Sequence, residues 1–253
     1  MLVGECNERI EKMKKCIAWI LILVLSLSLA ACGGKTEPTE AAAETVPETT
    51  EAPETTEVVE TTEEPTVLAK PLYGEILDAY FDALLQGFTP DQYTAAGLNY
   101  LVGVVGDVTK VGYSLEDLDG DGSTELLIGA VGEPQIYAMY TVKDGVETQV
   151  IDAGERNSYR LGTDGVFINN GSNSAAQSGT MLFTFDNGEL HLQDGLVSDF
   201  SVDEKNPWFY VKDQNWDSST YEPLDTASAE AIIAQLDANV RPIAYIPFSE
   251  YQS

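Results

Sequence analysis

The 253-residue chain is poor in the side chains that most often carry catalysis, cysteine and histidine, and poor in positive charge. Its three cysteines, Cys6, Cys16 and Cys32, all fall in the first 32 residues. The rest of the chain has no cysteine for a disulfide, a thiolate nucleophile or a zinc site. The single histidine, His191, alternates with Leu190 and Leu192, which turns it outward from a strand and leaves it without a histidine partner. Lys and Arg number 13 against 42 Asp and Glu, giving a formal net charge of −29. Such a surface repels phosphate, which excludes nucleic acid and electrostatic docking on anionic lipid. The sequence also lacks G-x-S-x-G, Ser-x-x-Lys, HExxH and a glycine-rich phosphate loop. Acidic residues are too abundant to single out a glycosidase pair.

The N-terminal quarter is organised for export. From Met13 the chain reads MKKCIAWILILVLSLSLAACGG. Lys14 and Lys15 precede an apolar run from Ile17 to Leu29 that is short for a transmembrane helix but suits a secretory signal. Residues 29–32, Leu-Ala-Ala-Cys, resemble a bacterial lipobox. That resemblance implies cleavage before Cys32, a diacylglyceryl group on its sulfur, and a place on the extracytoplasmic face of the bacterial cell membrane. Residues 1–12 are acidic and aperiodic, so translation is expected to begin at Met13. Together these features imply a lipoprotein signal peptide over residues 1–32. Residues 33–67, dominated by Thr, Glu, Pro and Ala, read as a disordered tether, because low hydrophobicity and one sign of charge oppose collapse. Residues 68–253 are one domain's worth of chain.

That domain opens with helical periodicity. Leu72, Tyr73, Ile76, Leu77, Tyr80, Phe81, Leu84, Leu85 and Phe88 recur at three- and four-residue steps. Thr89-Pro90-Asp91-Gln92 reads as a capping box with Pro at the first helical position, which starts a second helix over 90–102, weakened by Gly97. From Val111 onward short β segments alternate with turn dipeptides: Asp144-Gly145, Asp164-Gly165, Asn170-Gly171, Asn187-Gly188 and Asp194-Gly195. Leu126-Leu127-Ile128 is apolar on both faces, as in a central strand with helices on one side. A last helix follows Pro223, capped by Asp225 or Thr226, with Ile232, Ile233, Leu236 and Val240 as its stripe, and residues 243–248 read as a closing strand. The expected fold class is α+β: N-terminal helices, an antiparallel β-meander, then a C-terminal helix and strand.

One stretch points to chemistry. Residues 117–127 read DLDGDGSTELL, with carboxylates at loop positions 1, 3, 5 and 9 (Asp117, Asp119, Asp121, Glu125), Gly122 at 6 and Ser123 at 7. Hard oxygens at alternate positions, with a glycine for the sharp turn, suit Ca2+. An EF-hand would also need a bidentate Glu at position 12, where this chain has Ile128, and helices where it has strand-like flanks. The remaining pattern, D-x-D-x-D-G-x-x-E, resembles the calcium loops between strands of FG-GAP and VCBS repeats. That resemblance implies Asp117, Asp119, Asp121 and Glu125 as side-chain ligands and Ser123 as a carbonyl ligand. Two departures are the Glu at position 9, where those repeats more often have Asp, and the presence of a single such loop. The layout also resembles surface lipoproteins of Gram-positive bacteria that carry one such unit.

A second feature is aromatic. Trp208, Phe209, Tyr210, Trp216 and Tyr221 fall among polar residues, and Trp208, Tyr210, Trp216 and Tyr221 could stack on a glycan or anchor a protein, or simply pack. The leading expectation is a lipid-anchored, non-catalytic surface module with one structural Ca2+ and a binding or adhesion task. The alternative is an extracytoplasmic hydrolase, or an accessory subunit of one, acting on cell-wall or extracellular glycans. The N-terminal reading predicts that the protein fractionates with membranes, and that Cys32→Ser moves it to the soluble fraction. Membrane association unchanged by Cys32→Ser would contradict the lipid anchor.

Overall fold

The structure, a computed structural model, describes residues 72–252. The signal segment, Cys32 and the Thr/Glu/Pro-rich segment lie outside the described residues. Among the described residues three helices come first: α1 (Gly74–Gln86), α2 (Pro90–Ala95) and α3 (Tyr100–Val105). The periodic face of α1 buries Leu77, Tyr80, Ala83 and Leu84, whereas Leu72 and Leu85 are 48% and 62% exposed. The capping box forms: Thr89 Oγ1 accepts from Gln92 N, and Gln92 Oε1 accepts from Thr89 N. The helix expected over 90–102 is broken in two. Gly97 adopts φ 72°, and Asn99 restarts the helix by accepting at Oδ1 from Leu101 N. The Asn99 amide donates to Asp152 Oδ1 at 2.7 Å and to the Ala153 carbonyl at 2.8 Å, so the break is also what pins α3 to the sheet.

Eleven antiparallel strands then form one sheet: β1 (Val111–Glu116), β2 (Glu125–Ala130), β3 (Gln135–Lys143), β4 (Val146–Asp152), β5 (Asn157–Leu161), β6 (Phe167–Ser172), β7 (Gln177–Asp186), β8 (Glu189–Asp199), β9 (Trp208–Val211), β10 (Glu222–Pro223) and β11 (Ile246–Pro247). Helix α4 (Thr226–Asn239) lies between β10 and β11 in the chain. The spatial order follows the chain from β10 back to β5, then β3, β2 and β1, with β4 on the side of β3 and β11 returning to β1. The class is α+β, as the sequence indicated.

Two of the turn dipeptides do what their composition predicts. Asp144-Gly145 and Asn187-Gly188 close two-residue hairpins with every φ positive. Asn170-Gly171 and Asp194-Gly195 instead lie inside β6 and β8. At Gly195 the glycine is selected by close approach: a Cβ would lie 2.6 Å from Met181 Sδ and from the Thr180 carbonyl. Residues 169–179, which look like a polar loop, are mostly the β6–β7 hairpin, and only 173–176 connect the strands. The tail expected as a strand over 243–248 contributes only Ile246–Pro247, followed by a 3-10 turn at Phe248–Glu250.

Strand β2 divides two hydrophobic clusters. Leu126 and Ile128 join Tyr73, Leu77, Tyr80, Tyr140 and Phe248 on the helix side. Leu127 points the other way, into a cluster that includes Met139, Ile151, Phe167, Phe183 and Val197. A strand covered on both faces has no polar alternation, which is why its sequence reads as a continuous apolar run. Helix α4 is capped as expected, with Asp225 Oδ1 accepting from Ser228 N at 2.9 Å. Its stripe is less buried than its sequence suggests: only Ala229 is fully covered, and Ile232, Ile233, Leu236 and Val240 are half-buried. Polar ties hold its ends, Thr226 to Asn206 and Asp237 to Arg160 at 2.8 Å.

Candidate metal centre

The acidic stretch is the loop that joins β1 to β2. The strands align Glu116 opposite Glu125, so residues 117–124 must reverse the chain outside the sheet. Gly120 and Gly122 take φ 78° and 92°, a region that side chains disfavour, and this lets the loop curl inward. Its carboxylates then satisfy its own backbone. Asp117 accepts from Gly120 N at 2.8 Å and from Gly122 N at 3.1 Å, and Asp121 accepts from Ser123 N at 2.6 Å. Glu125 is only 2% exposed, with Oε2 accepting from Leu118 N at 3.0 Å and Oε1 from Thr141 Oγ1 at 3.1 Å.

The curl gathers three acids. One carboxylate oxygen from each of Asp117, Asp119 and Glu125 lies within 4.8 Å of the others, and this partly buried set could hold a metal ion. Burial raises the Glu125 carboxyl above its ordinary range, its two hydrogen bonds oppose the shift, and the charges of Asp119 and Asp121 add to it. Of the four carboxylates expected at the site, Asp121 is exposed and outside this group, and Ser123, expected through its carbonyl, is exposed on the same loop. Sequence reasoning missed Tyr73. Its hydroxyl donates to the Thr124 carbonyl at 2.8 Å across 51 positions, and no local pattern encodes that contact.

The aromatic residues divide by strand alternation. Phe209 and Val211 of β9 are buried in the cluster beyond Leu127, so Trp208 and Tyr210 lie on the opposite face, half-buried. The Tyr210 hydroxyl donates to Asp194 Oδ2 at 2.6 Å. Trp216 and Tyr221 pack against the cluster itself. The Trp216 ring lies over the paired Gly171 and Gly179, and its backbone N–H donates to the Tyr221 hydroxyl at 2.9 Å. Beneath it is a buried polar group: Gln177 Nε2 lies 3.0 Å from Asp199 Oδ2, Ser218 Oγ and the Trp216 carbonyl.

No family model matches the chain, and neither does any curated protein or solved structure.

Hydrogen bonds, first from Ser201 and then from Ser218 and Gln177, hold the Asp199 carboxyl below the usual carboxylate range against the cost of burial. The stabilisation from Asp199 is therefore complete above the unfolded value, about 4, and is lost as pH falls through the lower folded value. Asp199→Asn should flatten the acid limb of stability against pH in urea titrations. It should also cost about 1–3 kcal/mol at neutral pH, because its amide would face donors. An unchanged acid limb would contradict this role.

Proposed function

We propose that the β1–β2 loop holds one Ca2+, and that the domain is a non-catalytic binding module carried on the extracytoplasmic face of the bacterial cell membrane by a lipid on Cys32. The observation that supports the metal most is the convergence of Asp117, Asp119 and Glu125 within 4.8 Å at the root of a glycine-curled loop. An all-oxygen, anionic donor set disfavours zinc, which prefers nitrogen and sulfur. An irregular loop suits Ca2+, which accepts six to eight oxygens in flexible geometry, better than Mg2+, which demands an octahedron. The assigned ligands are the carboxylates of Asp117, Asp119, Asp121 and Glu125 and the carbonyl of Ser123, on the similarity of D-x-D-x-D-G-x-x-E to the FG-GAP and VCBS loops.

The role assigned to the ion is structural. Glu125 is bonded to Leu118 in the loop and to Thr141 on β3, so an ion beside it would tie loop, hairpin and neighbouring strand together. Loops of this kind in extracellular modules bind at roughly 10⁻⁴ to 10⁻³ M, which suits a compartment rich in Ca2+. The binding task is assigned to the aromatic region of Trp208, Tyr210, Trp216 and Tyr221, with a glycan or a protein as ligand.

Thermal melting tests the metal. With about tenfold more Ca2+ than the dissociation constant, linkage gives about 1.4 kcal/mol, a rise of a few degrees that EDTA reverses. The double variant Asp119→Ala, Asp121→Ala should lose the response, and a wild type that never responds would refute the site. A glycan and cell-wall binding screen with and without Ca2+ tests the task. Retention without turnover is expected, and release of cleaved product would favour the hydrolase reading.

A further inference from the structure

Tyr73 joins three parts of the molecule. It is 0% exposed, with its ring in the helix-side cluster. Its carbonyl accepts from Leu77 N at 2.9 Å and so begins α1. Its N–H donates to Glu147 Oε1 on β4 at 2.9 Å, and its hydroxyl donates to the Thr124 carbonyl at 2.8 Å. Thr124 directly precedes Glu125, the buried member of the acidic cluster. Tyr73 is also left-handed, at φ 63°, with no side-chain cap for the helix it starts. A non-glycine residue keeps that backbone only while surrounding contacts hold it. Burial, with the charges of Glu125, Glu147 and Asp121, pushes the phenol up, so it stays protonated and remains a donor. In the sequence, this residue stands where the domain meets the Thr/Glu/Pro-rich segment.

We propose that Tyr73 is a calcium-responsive latch: order imposed on the β1–β2 loop by Ca2+ passes through the Thr124 carbonyl to Tyr73 and closes the first turn of α1. The inference rests on the Ca2+ reading of that loop and adds its regulation. Without the ion, Asp117, Asp119 and Glu125 repel one another at the root of the loop, and the acceptor for Tyr73 loosens with it. The strained backbone at φ 63° then has fewer contacts to hold it, and the N-terminal end of the domain frays first. Linkage makes the effect reciprocal, so losing the Tyr73 hydroxyl weakens Ca2+ binding by the same factor that Ca2+ strengthens the latch.

The test combines hydrogen exchange with a Ca2+ titration by calorimetry, both on the intact chain. In wild type, the amides of Tyr73 and of Leu77 to Tyr80 should exchange about tenfold faster in EDTA than in Ca2+, while those of β6–β8 change little. Tyr73→Phe keeps the ring but cannot donate. It should show fast exchange at those amides in both conditions, retain protection in β6–β8, and bind Ca2+ about two- to tenfold more weakly. Ca2+ heat with unchanged α1 exchange would overturn the latch and leave the metal site standing. So would exchange that rises uniformly through the sheet, or a Tyr73→Phe variant that behaves as wild type. No Ca2+ heat at all would overturn the site and the latch with it.

Discussion

Glu125 imposes the constraint on which the hairpin depends: a carboxylate 2% exposed must be compensated where it sits. Two hydrogen bonds, from Leu118 and Thr141, supply part of the compensation. Asp117 and Asp119 bring further negative charge to the same point, which worsens the balance unless a cation joins them. The residue cannot move away, because the next three, Leu126, Leu127 and Ile128, are locked into clusters on both faces of β2. Packing of the strand and electrostatics of the loop are thus coupled by chain connectivity alone.

The fold places this loop at the junction of its two parts. On the helix side, Tyr73, Tyr80, Tyr140 and Phe248 pack against Leu126 and Ile128, and the Tyr80 and Tyr140 hydroxyls lie 2.9 Å apart. On the other side, the sheet buries its own aliphatic and aromatic face. The C-terminal tail closes the arrangement. Ile246–Pro247 pairs with β1, Arg241 bonds Glu116 at 2.5 Å, and the Tyr245 hydroxyl donates to the Gln135 carbonyl at 2.8 Å. Gly129 allows this close approach, since a Cβ there would meet Tyr245 and Gln135 at 2.4 Å.

The sequence disclosed features whose causes are local. The Thr89–Gln92 capping box, the Asp225 cap and the Asp144-Gly145 and Asn187-Gly188 hairpins each depend on a few adjacent residues. The spacing of the acidic loop belongs to the same class, and three of its carboxylates do converge. What misled was a local signal with a distant cause. Asn170-Gly171 has the composition of a turn, yet its glycine pairs with Gly179 beneath the Trp216 ring. The WFYV segment reads as a run of aromatics, and pairing with β8 divides it, with Phe209 and Val211 inward and Trp208 and Tyr210 on the other face. Tyr73, read as one more apolar position on a helix, is the contact between that helix and the loop.

Asp117, Asp119 and Glu125 in the β1–β2 loop form a cluster that could hold a cation. The most direct measurement is an anomalous difference map from crystals of the protein grown in Ca2+. A Ca2+ held there gives a peak about 2.3–2.6 Å from carboxylate oxygens of these three residues. A map with the three carboxylates in place and no peak between them, at millimolar Ca2+, would contradict it.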